Sequence, residues 1–103
     1  MAQTFEVNGK TYEIAYNIKR VELYENTNPP VMETFARNNG IFTIGQLKAV
    51  IGYGLRLEGG QWVSPAQGMQ MAENLIEANG YPAMTVAVID AMQRDCGFFF
   101  MEG

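Results

Sequence analysis

Apolar and polar side chains alternate over residues 4–16. Phe5 and Val7 alternate with Thr4 and Glu6, and Tyr12, Ile14 and Tyr16 alternate with Thr11, Glu13 and Ala15. Asn8-Gly9 separates the two runs. Two alternating segments around Asn-Gly predict a β-hairpin with a type I′ turn, because that turn needs positive φ at both central residues. A two-residue loop pairs Val7 with Lys10 and Phe5 with Tyr12. Phe5, Val7, Tyr12 and Ile14 then share one face, and Glu6, Thr11 and Glu13 share the other. A hairpin alone is marginal in water, so its apolar face needs helices or a further strand to cover it.

Beyond residue 16 the period lengthens to that of helices. Asn17 is placed to cap a short helix carrying Ile18, Val21 and Tyr24, which Asn26-Thr27-Asn28-Pro29-Pro30 breaks. A second helix fits residues 30–38, with Val31, Met32, Phe35 and Ala36 on one side and Asn39-Gly40 at its end. Thr43 and Gln46 form a capping box. The helix behind it has Ile44, Leu47, Ile51 and Leu55 at inward spacing. Gly45, Gly52 and Gly54 weaken that helix by about 1 kcal/mol each relative to alanine. They point either to close helix packing or to a bend that moves.

Gly59-Gly60 reads as a turn inside a small hairpin from Leu57 to Trp62. Ser64-Pro65-Ala66-Gln67 is a second capping box, with Pro at the first helical position. Its helix runs to Asn79, with Met71, Ala72, Leu75 and Ile76 inward, and Gly80 closes it. A last helix over 81–95 is apolar on nearly every side, as a central or partner-covered helix would be. Cys96, Gly97, Phe98, Phe99, Phe100 and Met101 form an apolar tail. The expected fold is α+β and mostly α: an N-terminal hairpin, then four to five short helices packed as helical hairpins. A strand at 61–63, or one from the tail, would extend the sheet. The domain is single, 1–103, divided into 4–16 (hairpin), 17–95 (helical) and 96–103 (tail).

Composition narrows the chemistry. The 103 residues carry seven Lys/Arg, eleven Asp/Glu and no His, a net charge of −4. An acidic chain without a basic block is poorly suited to nucleic acid, whose binding rests on phosphate neutralisation. Lack of histidine removes the usual general base and the commonest metal ligand. Cys96 is the single cysteine, so it forms no internal disulfide or thiolate cluster, and a reducing compartment is the natural reading. No signal core is visible, and no apolar run approaches the roughly 20 residues that span a bilayer. The carboxylate pairs Glu22/Glu25, Glu73/Glu77 and Asp90/Asp95 read as solvated helix faces. No glycine cluster fits a phosphate loop. Ser64, the only serine, is better used as a cap than as a nucleophile. No catalytic, metal or cofactor-binding residue emerges, and an enzyme is the least supported reading.

What remains is surface for binding. Seven methionines, one Trp, five Tyr and six Phe are many for so small a chain. Met32, Met71, Met84 and Met92 fill a core under one reading; under the other, methionine grips varied apolar partners. Tyr53, Trp62, Met69, Tyr81, Phe98, Phe99, Phe100 and Met101 are the candidates for a partner or self-association surface.

The order of elements resembles the tail assembly chaperones of long-tailed phages, and the related small protein encoded beside the tail-tube gene in phage-like gene clusters. The matching stretches are F-E-V-N-G-K-T-Y-E-I at 5–14, V-E-L-Y-E at 21–25, and the glycine-bearing helix from Ile44 to Gly54. They continue with the glycine turn before Ser64-Pro65, A-E-N-L-I-E-A-N-G-Y at 72–81, and the final apolar helix with its F-F-F end. The resemblance covers residues 4–100 and rests on element order and glycine placement. It implies a non-enzymatic, cofactor-free assembly factor in the cytoplasm of a bacterial host. Such a protein binds and solubilises the long helical tape measure protein, assists the tail tube protein, and is expected to self-associate. A minor structural component of the tail, or a small bacterial adaptor or ligand-binding module, is the alternative. The 98–100 run is the candidate for self-association.

Overall fold

The computed structural model describes residues 4–28, 30 and 42–97. Residues 31–38 of the helix expected over 30–38, its Asn39-Gly40 end and residues 98–103 of the tail lie outside the described residues. Strands β1 (Thr4–Val7) and β2 (Lys10–Ile14) form the hairpin in the expected register, Val7 opposite Lys10 and Phe5 opposite Tyr12. Asn8 and Gly9 take φ of 52° and 79°, as the type I′ turn demands. Phe5, Tyr12 and Ile14 are buried on the shared face.

A third strand, β3 (Leu55–Leu57), pairs antiparallel with β2 and makes β2 the central strand. The sheet is therefore extended by 55–57, and 61–63 joins it through a single bridge to β3 and not as a full strand. The small hairpin after it does form: Leu57 N–H donates to the Gln61 carbonyl at 3.0 Å, and Arg56 bridges Trp62. Its first arm is β3 itself, and its second arm pairs back on β3, with Val63 N–H donating to the Leu55 carbonyl at 3.1 Å. Leu55 thus belongs to a strand, although its spacing continues the preceding helix. The cause is long-range: Ala15 N–H takes the Gly54 carbonyl at 2.8 Å, and Leu55 turns extended with φ −80° and ψ 125°.

Four helices stand among the described residues: α1 (Ile18–Glu25), α2 (Ile44–Gly54), α3 (Pro65–Asn79) and α4 (Tyr81–Asp95). The Asn17 side chain accepts the Arg20 N–H at 2.8 Å, and both arms of the Thr43/Gln46 box are closed. Ser64 accepts from Gln67 N–H, one arm of the second expected box, and Gly80 ends α3 with φ of 92°. Two apolar positions of the helical pattern face solvent. Ile18 and Ile44 are 63% and 54% exposed. Each is the first residue of its helix and lies ahead of the turn that reaches the core.

The central helix is α2, not α4. Leu47, Val50 and Ile51 are fully buried, with Ala49, Gly52 and Gly54 closing the other sides. α2 packs against α1, α3, α4 and the sheet. The glycines serve close packing. A Cβ on Gly68 of α3 would collide with the Gly52 carbonyl oxygen, and one on Gly54 would come within 2.5–2.7 Å of the Tyr16 ring. α4 buries Met84, Ala87, Val88, Ala91 and Met92, and leaves Val86 exposed. Met71, Met84 and Met92 are core residues, and Met32 lies outside the described ones.

The C-terminal end of α4 brackets the end of β2. Arg94 Nη2 donates to the Ile14 carbonyl at 2.9 Å, and Tyr16 N–H donates to Asp95 Oδ2 at 3.1 Å. Arg94 and Asp95 also form a two-pronged ion pair at 2.6 and 2.8 Å. Burial works to raise the Asp95 pKa, but the bonds from Arg94 and from Tyr16 N–H outweigh it and hold the carboxyl below its usual value. A depressed folded-state pKa gives stability that is present above the unfolded-state value and is lost as pH falls through the folded one. Asp95→Asn keeps an acceptor for Tyr16 but loses the ion pair. It should cost about 1 kcal/mol at pH 7, a modest figure because the pair is partly solvated. That difference should shrink as the pH falls below about 3.9, the ordinary aspartate value. Urea unfolding of both proteins at pH 7 and pH 2.5 measures it; equal differences at the two pH values would rule the ion pair out.

Candidate partner-binding surface

Of the residues singled out for a surface, Tyr53, Trp62, Met69 and Tyr81 are described; Phe98, Phe99, Phe100 and Met101 lie outside the described residues. Tyr53 sits in the last turn of α2 and Trp62 on the return arm after β3. Both are half-buried. One residue of α1 brings them together. Arg20, placed one turn into the helix by the Asn17 cap, lays its guanidinium 5.9 Å from the Tyr53 ring centroid and 5.5 Å from that of Trp62. Its Nε donates to the Tyr53 carbonyl at 2.8 Å and its Nη2 to the Val63 carbonyl at 3.4 Å. Burial among these groups lowers the Arg20 pKa, partly offset by Tyr53.

A second arginine stacks on the same indole. Arg56 of β3 lies 5.0 Å from the Trp62 centroid and is paired through Nε with Glu13 Oε2 at 2.7 Å. The Trp62 indole N–H donates to the Ala15 carbonyl at 2.9 Å, so the ring has a fixed orientation. Tyr53 also meets Tyr24 edge-to-face at 5.8 Å, and its hydroxyl lies 3.4 Å from that of Thr27. The result is an aromatic–arginine cluster held by α1, α2, β2 and β3.

Met69 and Tyr81 take other positions. Met69 is half-buried on α3 and packs over Gly52, one residue from Tyr53. Tyr81 opens α4, and its hydroxyl donates to the Phe42 carbonyl at 2.6 Å and accepts the Phe42 N–H at 3.1 Å. That clasp ties the approach to α2 onto α4 and is not joined to the cluster by any described contact. Sequence reasoning named the two rings and missed Arg20 and Arg56. Aromatic excess is visible in a composition, whereas these stacking partners lie six to 42 positions from Trp62 with no spacing rule to connect them.

Little else offers chemistry. Cys96 is buried; burial first, and then the Asp95 charge, push its thiol up to about 11, the opposite of an activated thiolate. Glu73 is ion-paired with Lys48 at 3.0 Å. Among the described residues no three His, Cys, Asp or Glu side chains are grouped to hold a metal ion, and no helix is long and apolar enough to cross a membrane. The fold is a small α+β domain, and this cluster is a half-buried set of arginines and aromatic rings on it. No model of a protein family matches the chain, and no curated protein or solved structure is significantly similar to it.

Proposed function

We propose that the protein is a non-enzymatic tail assembly chaperone, acting in the cytoplasm of a bacterial host, that keeps a tape measure protein soluble while the tail tube forms around it. The observation that carries the reading is the order of elements: hairpin, short helix ending in glutamate, glycine-bearing helix, glycine turn, helical pair. The physical chemistry is compatible with that task. A tape measure helix presents apolar stripes that need cover before assembly. Ile18, Leu23, Ile44 and Val86 are exposed apolar side chains of this chain, and the Tyr53–Trp62 cluster adds half-exposed rings. A net charge of −4 keeps the free chaperone soluble and favours a client that is neutral or basic overall. Self-association along a long client belongs to the same reading.

Co-expression with the long helical protein encoded downstream tests it. The client should be soluble and co-purify with this chain, and aggregate without it. A client that is soluble alone and shows no binding would sink the reading. Recovery of the chain in finished particles would move it to a structural component of the tail.

A further inference from the structure

Arg20 differs from the other described arginines. Arg56 is neutralised by Glu13 and Arg94 by Asp95. Arg20 is held instead by two backbone carbonyls and two aromatic faces, with no carboxylate among its described partners. A guanidinium has five N–H donors. Its two bonds use the Nε proton and one on Nη2, so the Nη1–Nη2 edge keeps three. That edge can take a carboxylate with two parallel bonds, as the Nε–Nη2 edge of Arg94 takes Asp95.

The edge is also preorganised. Two carbonyls and two rings already fix the guanidinium, so little conformational freedom is left to lose on binding. Apolar surface adjoins it. Leu23 follows Arg20 by three positions on α1, which makes them surface neighbours, and Leu23 is 44% exposed. The Trp62 ring lies 5.5 Å from the guanidinium. A half-buried cation without a counter-charge, in a chain with eleven acidic residues, is a site where a partner's anion relieves a desolvation cost already incurred.

We propose that the Nη1–Nη2 edge of Arg20, beside Trp62, receives one Asp or Glu carboxylate of the client, set at the margin of the apolar stripe of an amphipathic helix. The net charge of −4 selects against an acidic client as a whole, so the recognised feature is a single carboxylate beside an apolar stripe and not an acidic run. This inference rests on the chaperone reading above.

Trp62 is the only tryptophan, so its fluorescence reports the site directly. The probe is a set of Trp-free peptides of about 20 residues, roughly six helical turns, tiled across the co-encoded tape measure protein. Among those that bind, Arg20→Gln should weaken binding about ten- to a hundred-fold, the scale of a lost charge-assisted pair. Lys19→Gln, which removes the same charge one residue away, should leave binding within about twofold, as an exposed charge contributes little. Arg20→Glu should abolish binding, and replacing the peptide's carboxylate with Lys should restore it. That restoration requires a folded site. If Arg20→Glu does not fold, Arg20→Lys, which keeps the charge and loses the fork, should fall between wild type and Arg20→Gln. Equal binding to wild type and Arg20→Gln overturns this proposal alone. Failure of the wild-type chain to hold any peptide or the full-length client overturns the chaperone reading, and this proposal with it.

Discussion

Gly68→Ala should destabilise the protein by about 2–3 kcal/mol and lower its melting temperature by about 10 °C or more. The helix propensity of alanine argues for the opposite sign, since Gly→Ala inside a helix gains about 0.5–1 kcal/mol. Sterics decide against it. The new Cβ would collide with the Gly52 carbonyl oxygen and stand 3.0 Å from the Gly52 carbonyl carbon and Cα. All three are backbone atoms of the central helix, so no side-chain rotation relieves the contact. α2 and α3 must separate, and the layer from Leu47 to Leu75 loosens with them. Gly45→Ala is the control. Gly45 lies on the exposed first turn of α2, and its nearest neighbour in that direction is Thr43 Oγ1 at 4.0 Å. The same chemical change there should be neutral or stabilising by up to about 1 kcal/mol. Urea unfolding of the two variants should give midpoint shifts of opposite sign, or one shift near zero, with unchanged slope. A Gly68→Ala protein as stable as wild type would mean that the helices do not cross this closely.

Local signals in the chain were reliable where the deciding interactions are local. The hairpin register follows from Asn8-Gly9 and alternation, because a two-residue turn sets every pair up to Thr4 and Glu13. The caps at Asn17, Thr43 and Ser64 are three-residue contacts, and Gly80 is a single backbone conformation. What the pattern misplaced was decided across the fold. Leu55 keeps helical spacing, yet Ala15 captures the Gly54 carbonyl and turns Leu55 into the strand that pairs with Ile14. Nearly all-round apolarity made α4 look central, but small residues beside Leu47 and Ile51 let α2 take that place. Glycine crowding in α2 indicated close packing, while its partners, Gly68 for Gly52 and the Tyr16 ring for Gly54, lie 16 and 38 positions away. The candidate surface divides the same way. Tyr53 and Trp62 stand out by type, whereas Arg20, which lies against both, arrives through contacts 33 and 43 positions apart in the chain.

Tyr16 carries the second large effect. Its ring is buried against Gly54, its hydroxyl donates to the Val50 carbonyl at 2.8 Å, and its N–H is held by Asp95. One residue thus links the end of β2 to the last turn of α2 and to the end of α4. Tyr16→Phe removes the hydroxyl alone and should cost about 1–1.5 kcal/mol, the value of one buried hydrogen bond. Tyr16→Ala also removes the ring and should cost about 3–5 kcal/mol, since the surrounding core closes only in part over the space. The space vacated in Tyr16→Ala borders Gly54. In the wild-type background Gly54→Ala must push its Cβ into the Tyr16 ring, whose hydroxyl anchor on Val50 resists displacement. In the Tyr16→Ala background that space is empty, and the helix gains a better-propensity residue. The two substitutions should therefore be non-additive by more than about 1 kcal/mol, with the double variant more stable than the sum of the single losses. Thermal unfolding of the four proteins closes this cycle. Simple additivity would show that the ring does not lean on Gly54, and that the absence of a side chain there has a cause other than Tyr16.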